Sequence, residues 1–501
     1  MTSLLLDGQP LSPTDVADVA RNARVVRLAA SSAADVAASR SVVDAVTAGT
    51  APVYGVNTGF GSLSRIRVDA DGLRELQRNL IRSHAAGVGE PLPDDVVRAM
   101  LVILAASLAR GHSGVRPIVI ESIIGLLERG ITPVVPSRGS VGASGDLAPL
   151  AHAALVLLGE GEAMFEGRRL SGHDALRAAG QDPLVLEAKE GLALINGTHL
   201  MTAIGALAQI DLERLSTAAL AATALAIDAC RATDAFLDPR LHFARSQLGQ
   251  QRVAADLLAR LAGSTILQDH RHDDPRVQDP YCLRAAPQVL GAALDALEWT
   301  GEMIQRELGA VTDNPLVFSP DGHIVSGANF HGMPVAIPLD VMPIAVSHVA
   351  GIAERRIYWL LAASDGENPI NVYLSPQPGL HSGLMIVQYT AAACCNELQT
   401  LATPASVANI PTSAGIEDYN SMGATSAHQL RHAVDLARSV IACELLVMAE
   451  ALEYQRPLRS GALVEATVAT VRSVVPRLTE DRPPAPDIAA IEALIARGDF
   501  D

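Results

Sequence analysis

The residues with the most chemical potential lie in one loop, Gly139-Ser-Val-Gly-Ala-Ser-Gly-Asp-Leu-Ala-Pro-Leu150. A serine nucleophile on a sharp strand-to-helix turn follows the pattern G-x-S-x-G. Here the second residue after Ser144 is Asp146, and no strand pattern precedes the loop. A phosphate-cradling loop needs a lysine in G-x-x-x-x-G-K-[ST], and the chain contains no such run. The plain structural reading is a Gly-rich turn capping a helix that starts near Asp146. A further chemistry uses the backbone itself. Attack by the Gly145 amide nitrogen on the Ala143 carbonyl closes a five-membered ring, and loss of two waters turns Ser144 into a dehydroalanine within it. The product is a 4-methylidene-imidazol-5-one, an electrophile made from Ala143-Ser144-Gly145 with no external cofactor. Gly at 145 and a small residue at 143 permit the close approach, and Ser must stand between them because its hydroxyl is eliminated.

A second cluster, His270-Arg-His272-Asp273-Asp274, offers metal-ligand types. No other His/Asp cluster at ligand spacing accompanies it, so a solvated loop is the expectation and no metal site is assigned. The chain has a single lysine, Lys189, among 38 basic residues. Its polar surroundings, Glu187-Ala-Lys-Glu190, read as an exposed turn or helix start rather than a cofactor-bearing lysine.

These loops need a scaffold, and the rest of the chain describes one. The 501 residues are 49% hydrophobic and 19% charged, enough for a large buried core and too apolar for disorder. A net charge of −17 repels phosphate backbones, and 3% aromatics leaves few base-stacking platforms, so no nucleic-acid partner is expected. Five cysteines with no C-x-x-C spacing read as reduced, buried thiols of a cytoplasmic protein. The N-terminus does not read as a signal peptide. Uncharged Gly191–Ile210 carries Asn196, Thr198, His199 and Gln209, which suits a buried core segment better than a membrane span. Long apolar runs at Ala206–Asp228, Pro287–Leu308, Ile337–Ala363, Gly383–Leu401 and Met422–Ala451 predict helices that pack on each other or on other subunits. Strand signals are short, at Pro133–Pro136 and His323–Ser326, and Thr479–Asp487 reads as a linker before a last short helix. The expected class is mainly α: a long central helical bundle (201–501) with a smaller N-terminal active-site domain (1–200).

Six segments, in order, resemble the aromatic amino acid ammonia-lyase family: Tyr54–Gly61, Gly142–Pro149, Gly191–Thr198, Val277–Tyr281 with Arg284, Thr312-Asp-Asn-Pro315, and Asn329-Phe-His331. The resemblance implies a fumarase/aspartase-like superfamily architecture and removal of ammonia from an aromatic α-amino acid by the methylidene-imidazolone. It implies a homotetramer in which several chains build each site, with a small amino acid as ligand and no membrane. By the same resemblance Tyr54 is the base, Arg284 holds the substrate carboxylate with Tyr281 one turn before it, and Asn196, Gln278 and Gln288 orient electrophile and substrate. Phe330 lies near the electrophile. His84, Met385 and Glu417 match the ring contacts of the family's histidine ammonia-lyases. A carboxylate suits an imidazole N–H, although a phenol can also donate to it. The implied reaction is L-histidine to trans-urocanate; a tyrosine or phenylalanine lyase and a 2,3-aminomutase are the alternatives. Gly332-Met333, Ile416, Tyr419, Asn420 and His199 depart from the usual histidine-lyase text.

Overall fold

The structure is a computed structural model and describes residues 2–59, 61, 65–272, 274 and 276–500. Helix makes up 59% of it, and the strands are short. The long helices follow the apolar runs: His199–Ala229, Ala286–Glu307, Met333–Leu361, Met385–Leu401 and Gly423–Leu452. Met333–Leu361 is long and apolar enough to cross a membrane by length and composition. About half of its apolar stretch is buried inside the protein, and the helix carries Arg356 in a buried ion pair, as a core helix does.

The chain forms two compact units, each from three separated segments, where the sequence reading divided it once, after residue 200. The first comprises Met1–Ile210, Gly301–Asp340 and Pro404–His428; the second comprises Asp211–Thr300, Val341–Thr403 and Gln429–Asp501.

The first unit combines shorter helices with small sheets. Pro13–Asn22 starts at a capping box in which Ser12 and Asp15 exchange side-chain-to-backbone bonds, with proline in its first turn. Asp94–Leu108 is buried along nearly its whole length and packs against that helix and Pro117–Arg129. The sheets are Leu4–Leu6 with Val26–Leu28 in parallel, and antiparallel pairs Val88–Pro91 with Pro136–Arg138 and Leu316–Phe318 with His323–Val325. A three-stranded sheet joins Thr132–Pro133, Glu162–Phe165 and Arg168–Ser171. One apolar cluster, Val43, Val56, Leu73, Ala188 and Val317, draws together parts of the chain remote in sequence.

The second unit is almost wholly helical. Within it Arg356 and Glu444, both fully buried, form a bidentate pair at 2.5 and 3.0 Å, and Arg356 also donates to the Cys282 carbonyl. All five cysteines are free thiols; Cys230 and Cys443 are buried, but Cys282, Cys394 and Cys395 are only partly so, because their helix faces stay open.

Candidate active site

The Ala-Ser-Gly loop is held by its neighbours on every side. The helix Leu147–Leu157 does begin after Asp146, yet the Asp146 carboxylate caps a different helix. It accepts the backbone N–H groups of Leu200 and Met201 at 2.9 and 3.0 Å, in the first turn of His199–Ala229, and the Ser140 hydroxyl at 2.7 Å. Complete burial pushes its carboxyl up to about 6, against the pull of those donors. Gly145 has φ +73°, and a Cβ there would overlap the backbone of Gly197, so no other residue fits. Asn196 donates from Nδ2 to the Ser144 carbonyl at 2.8 Å. The Gly142 carbonyl accepts from Ser421 Oγ at 3.0 Å and from the Gly332 N–H at 3.2 Å. The loop therefore has the crowded backbone, the small buried Ala143 and the obligatory Gly145 that ring closure requires.

Glu417 connects this loop to the side chains around it. The Ser144 hydroxyl donates to Glu417 Oε1 at 3.1 Å, and Thr412 Oγ1 donates to Oε2 at 3.1 Å. A tight turn in which Thr412 and Glu417 pair their backbones sets the carboxylate there. Tyr54 and His84 both feel its charge. Burial raises the Tyr54 phenol above its ordinary value; a hydrogen bond from the Gly61 backbone opposes this, and the charges of Glu417 and Asp313 add to it. Burial lowers His84 below the usual histidine value, against the Leu80 carbonyl and Glu417. His84 Nδ1 lies 2.9 Å from the Leu80 carbonyl, which can only accept, so Nδ1 carries the proton and Nε2 keeps a free lone pair.

Two departures from the histidine-lyase text meet nearby. His331 Nε2 donates to the Tyr419 carbonyl at 3.0 Å, the two rings stack at 6.4 Å, and the Met333 N–H donates to His331 Nδ1. Phe330 is half-buried, two residues before Gly332. In the described residues of the first unit, Tyr54, His84, Ala143, Ser144, Gly145, Asn196, Phe330 and Glu417 thus share one body. Phe60, inside the Tyr54–Gly61 motif, lies outside the described residues.

Gln278, Tyr281, Arg284, Gln288 and Met385 belong to the second unit. Tyr281–Arg284 is one helical turn, and the Arg284 guanidinium lies 4.6 Å from the Tyr281 ring centroid, as their three-residue spacing predicts. Tyr281 is 73% exposed, Gln278 is exposed, and Gln288 and Met385 are half-buried.

The sequence reading of Lys189 as an exposed lysine is wrong. Its side chain is fully buried and its ammonium meets Asp313 Oδ2 at 2.6 Å. The polar run misled because Glu187 and Glu190 satisfy arginines instead: Glu187 pairs with Arg74, and buried Glu190 with Arg116. A lone lysine among 38 basic residues was the signal that its position is special. The stretch before Gln278 is also less open than expected, since His270 is buried with Nδ1 2.7 Å from the Ile266 carbonyl. Asp274 pairs with Arg276, and Asp273 lies outside the described residues. Among the described residues no group of three or more His, Cys, Asp or Glu is placed to hold a metal ion.

The family model for aromatic amino acid lyases matches residues 11–473. A histidine ammonia-lyase of Sorangium cellulosum is 49% identical over 504 residues, covering 99% of this chain and 97% of its own. The crystal structure of a histidine ammonia-lyase from Trypanosoma cruzi superposes with a TM-score of 0.92 at 37% identity, covering 100% of this chain and 94% of the other. A tyrosine aminomutase from Streptomyces globisporus superposes with a TM-score of 0.93 at 36% identity, covering 100% and 98%. An Ala-Ser-Gly loop with the Glu417 carboxylate against its serine, on a helical scaffold, and a match along nearly the whole chain lead to one conclusion: this protein is a carbon–nitrogen lyase and belongs to the aromatic amino acid lyase family.

Proposed function

We propose that this chain eliminates ammonia from L-histidine to give trans-urocanate, at a site whose methylidene-imidazolone forms from Ala143, Ser144 and Gly145. The observation that carries the reading is Glu417: its carboxylate lies 3.1 Å from the Ser144 hydroxyl and acts electrostatically on both Tyr54 and His84. That puts an acceptor for a ring N–H beside the electrophile loop. Glu417 and His84 Nε2 thus offer acceptors for the single N–H of a neutral imidazole, which a phenyl ring cannot supply.

The imidazolone, once formed, supplies an electrophile that captures the substrate amine. The side chains do the rest. Asn196 holds the Ser144 carbonyl in place. Tyr54 takes the β-proton at its phenol oxygen. Arg284 fixes the substrate carboxylate, with Tyr281, Gln278 and Gln288 beside it, and Met385 and Phe330 line the ring pocket. The surroundings of Tyr54 within the first unit raise its pKa, so a positive charge from elsewhere must favour the phenolate. We assign that charge to Arg284 of a neighbouring chain in a homotetramer with shared sites. The exposure of Tyr281 on the second unit, and of Ile344, Tyr358, Ile386 and Tyr389 along its long helices, supports such assembly. The free cysteines suit the reducing cytoplasm.

The second reading is an aminomutase acting on an aromatic amino acid, favoured by the likeness to the tyrosine aminomutase and by the capacity of a phenol to donate to Glu417. An ultraviolet product assay with L-histidine, L-tyrosine and L-phenylalanine in parallel separates the readings. Urocanate from histidine alone is expected. Coumarate or cinnamate instead, or a β-amino acid detected by mass, would replace histidine elimination with the alternative.

A further inference from the structure

We propose that the buried Lys189–Asp313 ion pair is a positioning device for catalysis: it locks the turn bearing Tyr54 and the segment bearing Asn196 onto one strut, Thr312-Asp-Asn-Pro315, and neutralises an anion beside the base. This rests on the reading of Tyr54 as the base.

The strut is anchored to both catalytic pieces. On one side Pro315 packs against the Tyr54 turn. Gly55 has φ +75°, and a Cβ there would lie 2.7 Å from Pro315 Cδ and 2.9 Å from Leu192 Cδ2, so turn, strut and helix meet without room to spare. On the other side Thr312 Oγ1 accepts the N–H of Thr198, two residues past Asn196, at 3.4 Å. Between these anchors Asp313 receives the Asn314 N–H on Oδ1 and the Lys189 ammonium on Oδ2, both at 2.6 Å. Lys189 caps the helix Glu190–Ile195 with φ +74°, and that helix ends at Asn196. The ion pair thus clamps the start of the helix whose end bears Asn196. Beneath it Val56, Ala188 and Val317 share one apolar cluster, each within a few residues of a member of the assembly.

The pair also acts on charge. Groups bearing on the Tyr54 phenol are Glu417, Asp313 and the Gly61 backbone. Both carboxylates oppose ionisation. Glu417 faces the loop, whereas Asp313 has Lys189 to offset it at 2.6 Å. A compact ammonium can sit at one carboxylate oxygen while the other takes the backbone bond. Here the chain's one lysine serves where a compact point charge at one oxygen is needed, while arginines such as Arg116 take Glu190 with a fork.

The test uses the full-length protein with four variants: Lys189→Met, Asp313→Asn, the double variant, and Tyr54→Phe. Readouts are kcat, KM, the pH profile of kcat/KM, and the intact mass, which shows whether two waters have left the Ala-Ser-Gly loop. Lys189→Met leaves Asp313 uncompensated, so the acid limb of kcat/KM moves to higher pH and kcat falls by about tenfold to a hundredfold, with KM little changed. Asp313→Asn removes one of the two carboxylate charges that oppose ionisation of the phenol, so its acid limb moves the opposite way. The double variant returns the limb toward the parent position, and every variant shows the mass of the dehydrated loop. Where Lys189→Met does not fold, Asp313→Asn and the double variant carry the test. Unmoved acid limbs, with Tyr54→Phe inactive, would make the pair a packing element and overturn the proposal. An active Tyr54→Phe would instead overturn the assignment of the base.

Discussion

Each unit of this protein buries an ion pair, and the two pairs are built for different tasks. In the second unit Arg356 and Glu444 engage through two parallel bonds, with a third from Arg356 to the Cys282 carbonyl. Arg356 and Glu444 come from two long helices, and the planar fork fixes how those helices meet. In the first unit Lys189 meets Asp313 at a single oxygen, two residues before the Pro315 that packs against the Tyr54 turn. Burial of either pair is costly, and such pairs are weak sources of net stability. What differs is the neighbourhood. The bundle pair lies between long helices with the thiols of Cys230 and Cys282 beside it, in the unit without Tyr54, so its loss is felt as stability. The loop pair stands beside titratable groups, so its loss is felt in the pH response of the site.

The largest separation comes from the chemistry itself. Ser144→Ala removes the hydroxyl that ring formation must eliminate, so turnover should fall on the order of 10³-fold or more, about 4 kcal/mol, while the thermal midpoint holds. Wild-type turnover with no loss of water by intact mass would end the electrophile assignment. In the bundle the opposite pattern is expected. Arg356→Met strands the Glu444 carboxylate and should cost about 3–5 kcal/mol in denaturant unfolding, with kcat of the folded fraction retained. An intact midpoint with a collapsed kcat would erase the contrast between the two pairs.

His199 sharpens the picture from the side of pH. Neither of its buried ring nitrogens has a hydrogen-bond partner among the described residues, and burial pushes it down to about 4. Its folded pKa is thus depressed below the ordinary 6.5, and the stability it contributes is present above pH 6.5 and lost as pH falls toward 4. That loss amounts to about 3 kcal/mol. His199→Gln should flatten the fall of the thermal midpoint over this window; an equally steep fall would place the acid sensitivity elsewhere. The smallest effect concerns selectivity. Glu417→Gln should reduce kcat/KM for histidine about tenfold more than for phenylalanine, the worth of one hydrogen bond to a charged acceptor. Equal losses would mean that Glu417 does not read the ring.

Much of this was legible in the linear sequence because it is local or repetitive. Helices such as Gly423–Leu452 follow runs of Ala, Leu and Val and end within a few residues of them, but His199–Ala229 begins seven residues before its run because Asp146 caps it there. The Ala-Ser-Gly loop was legible because cyclisation requires three adjacent residues of stated types. Tyr281 and Arg284 were legible as one helical turn. Asp146 was harder: it was expected at the head of the helix after it, and its carboxylate instead caps a helix more than fifty residues on. The chain returns twice to complete the first unit, with Gly301–Asp340 and Pro404–His428, and nothing in local composition signals a return.

What the sequence alone determined is the chemistry available: a serine between alanine and glycine, a tyrosine heading a Gly-rich motif, a carboxylate at 417, and helices long enough to carry them. Tertiary structure decided which groups feel one another. Glu417 lies 273 residues from Ser144 and yet accepts its hydroxyl, and Lys189 finds Asp313 across 124 residues. Residue types set what bonds can form, and short-range periodicity sets helices. Pairing across such separations is set by how apolar surfaces such as Val56, Ala188 and Val317 close on each other, which is a property of the packed chain and of no segment within it.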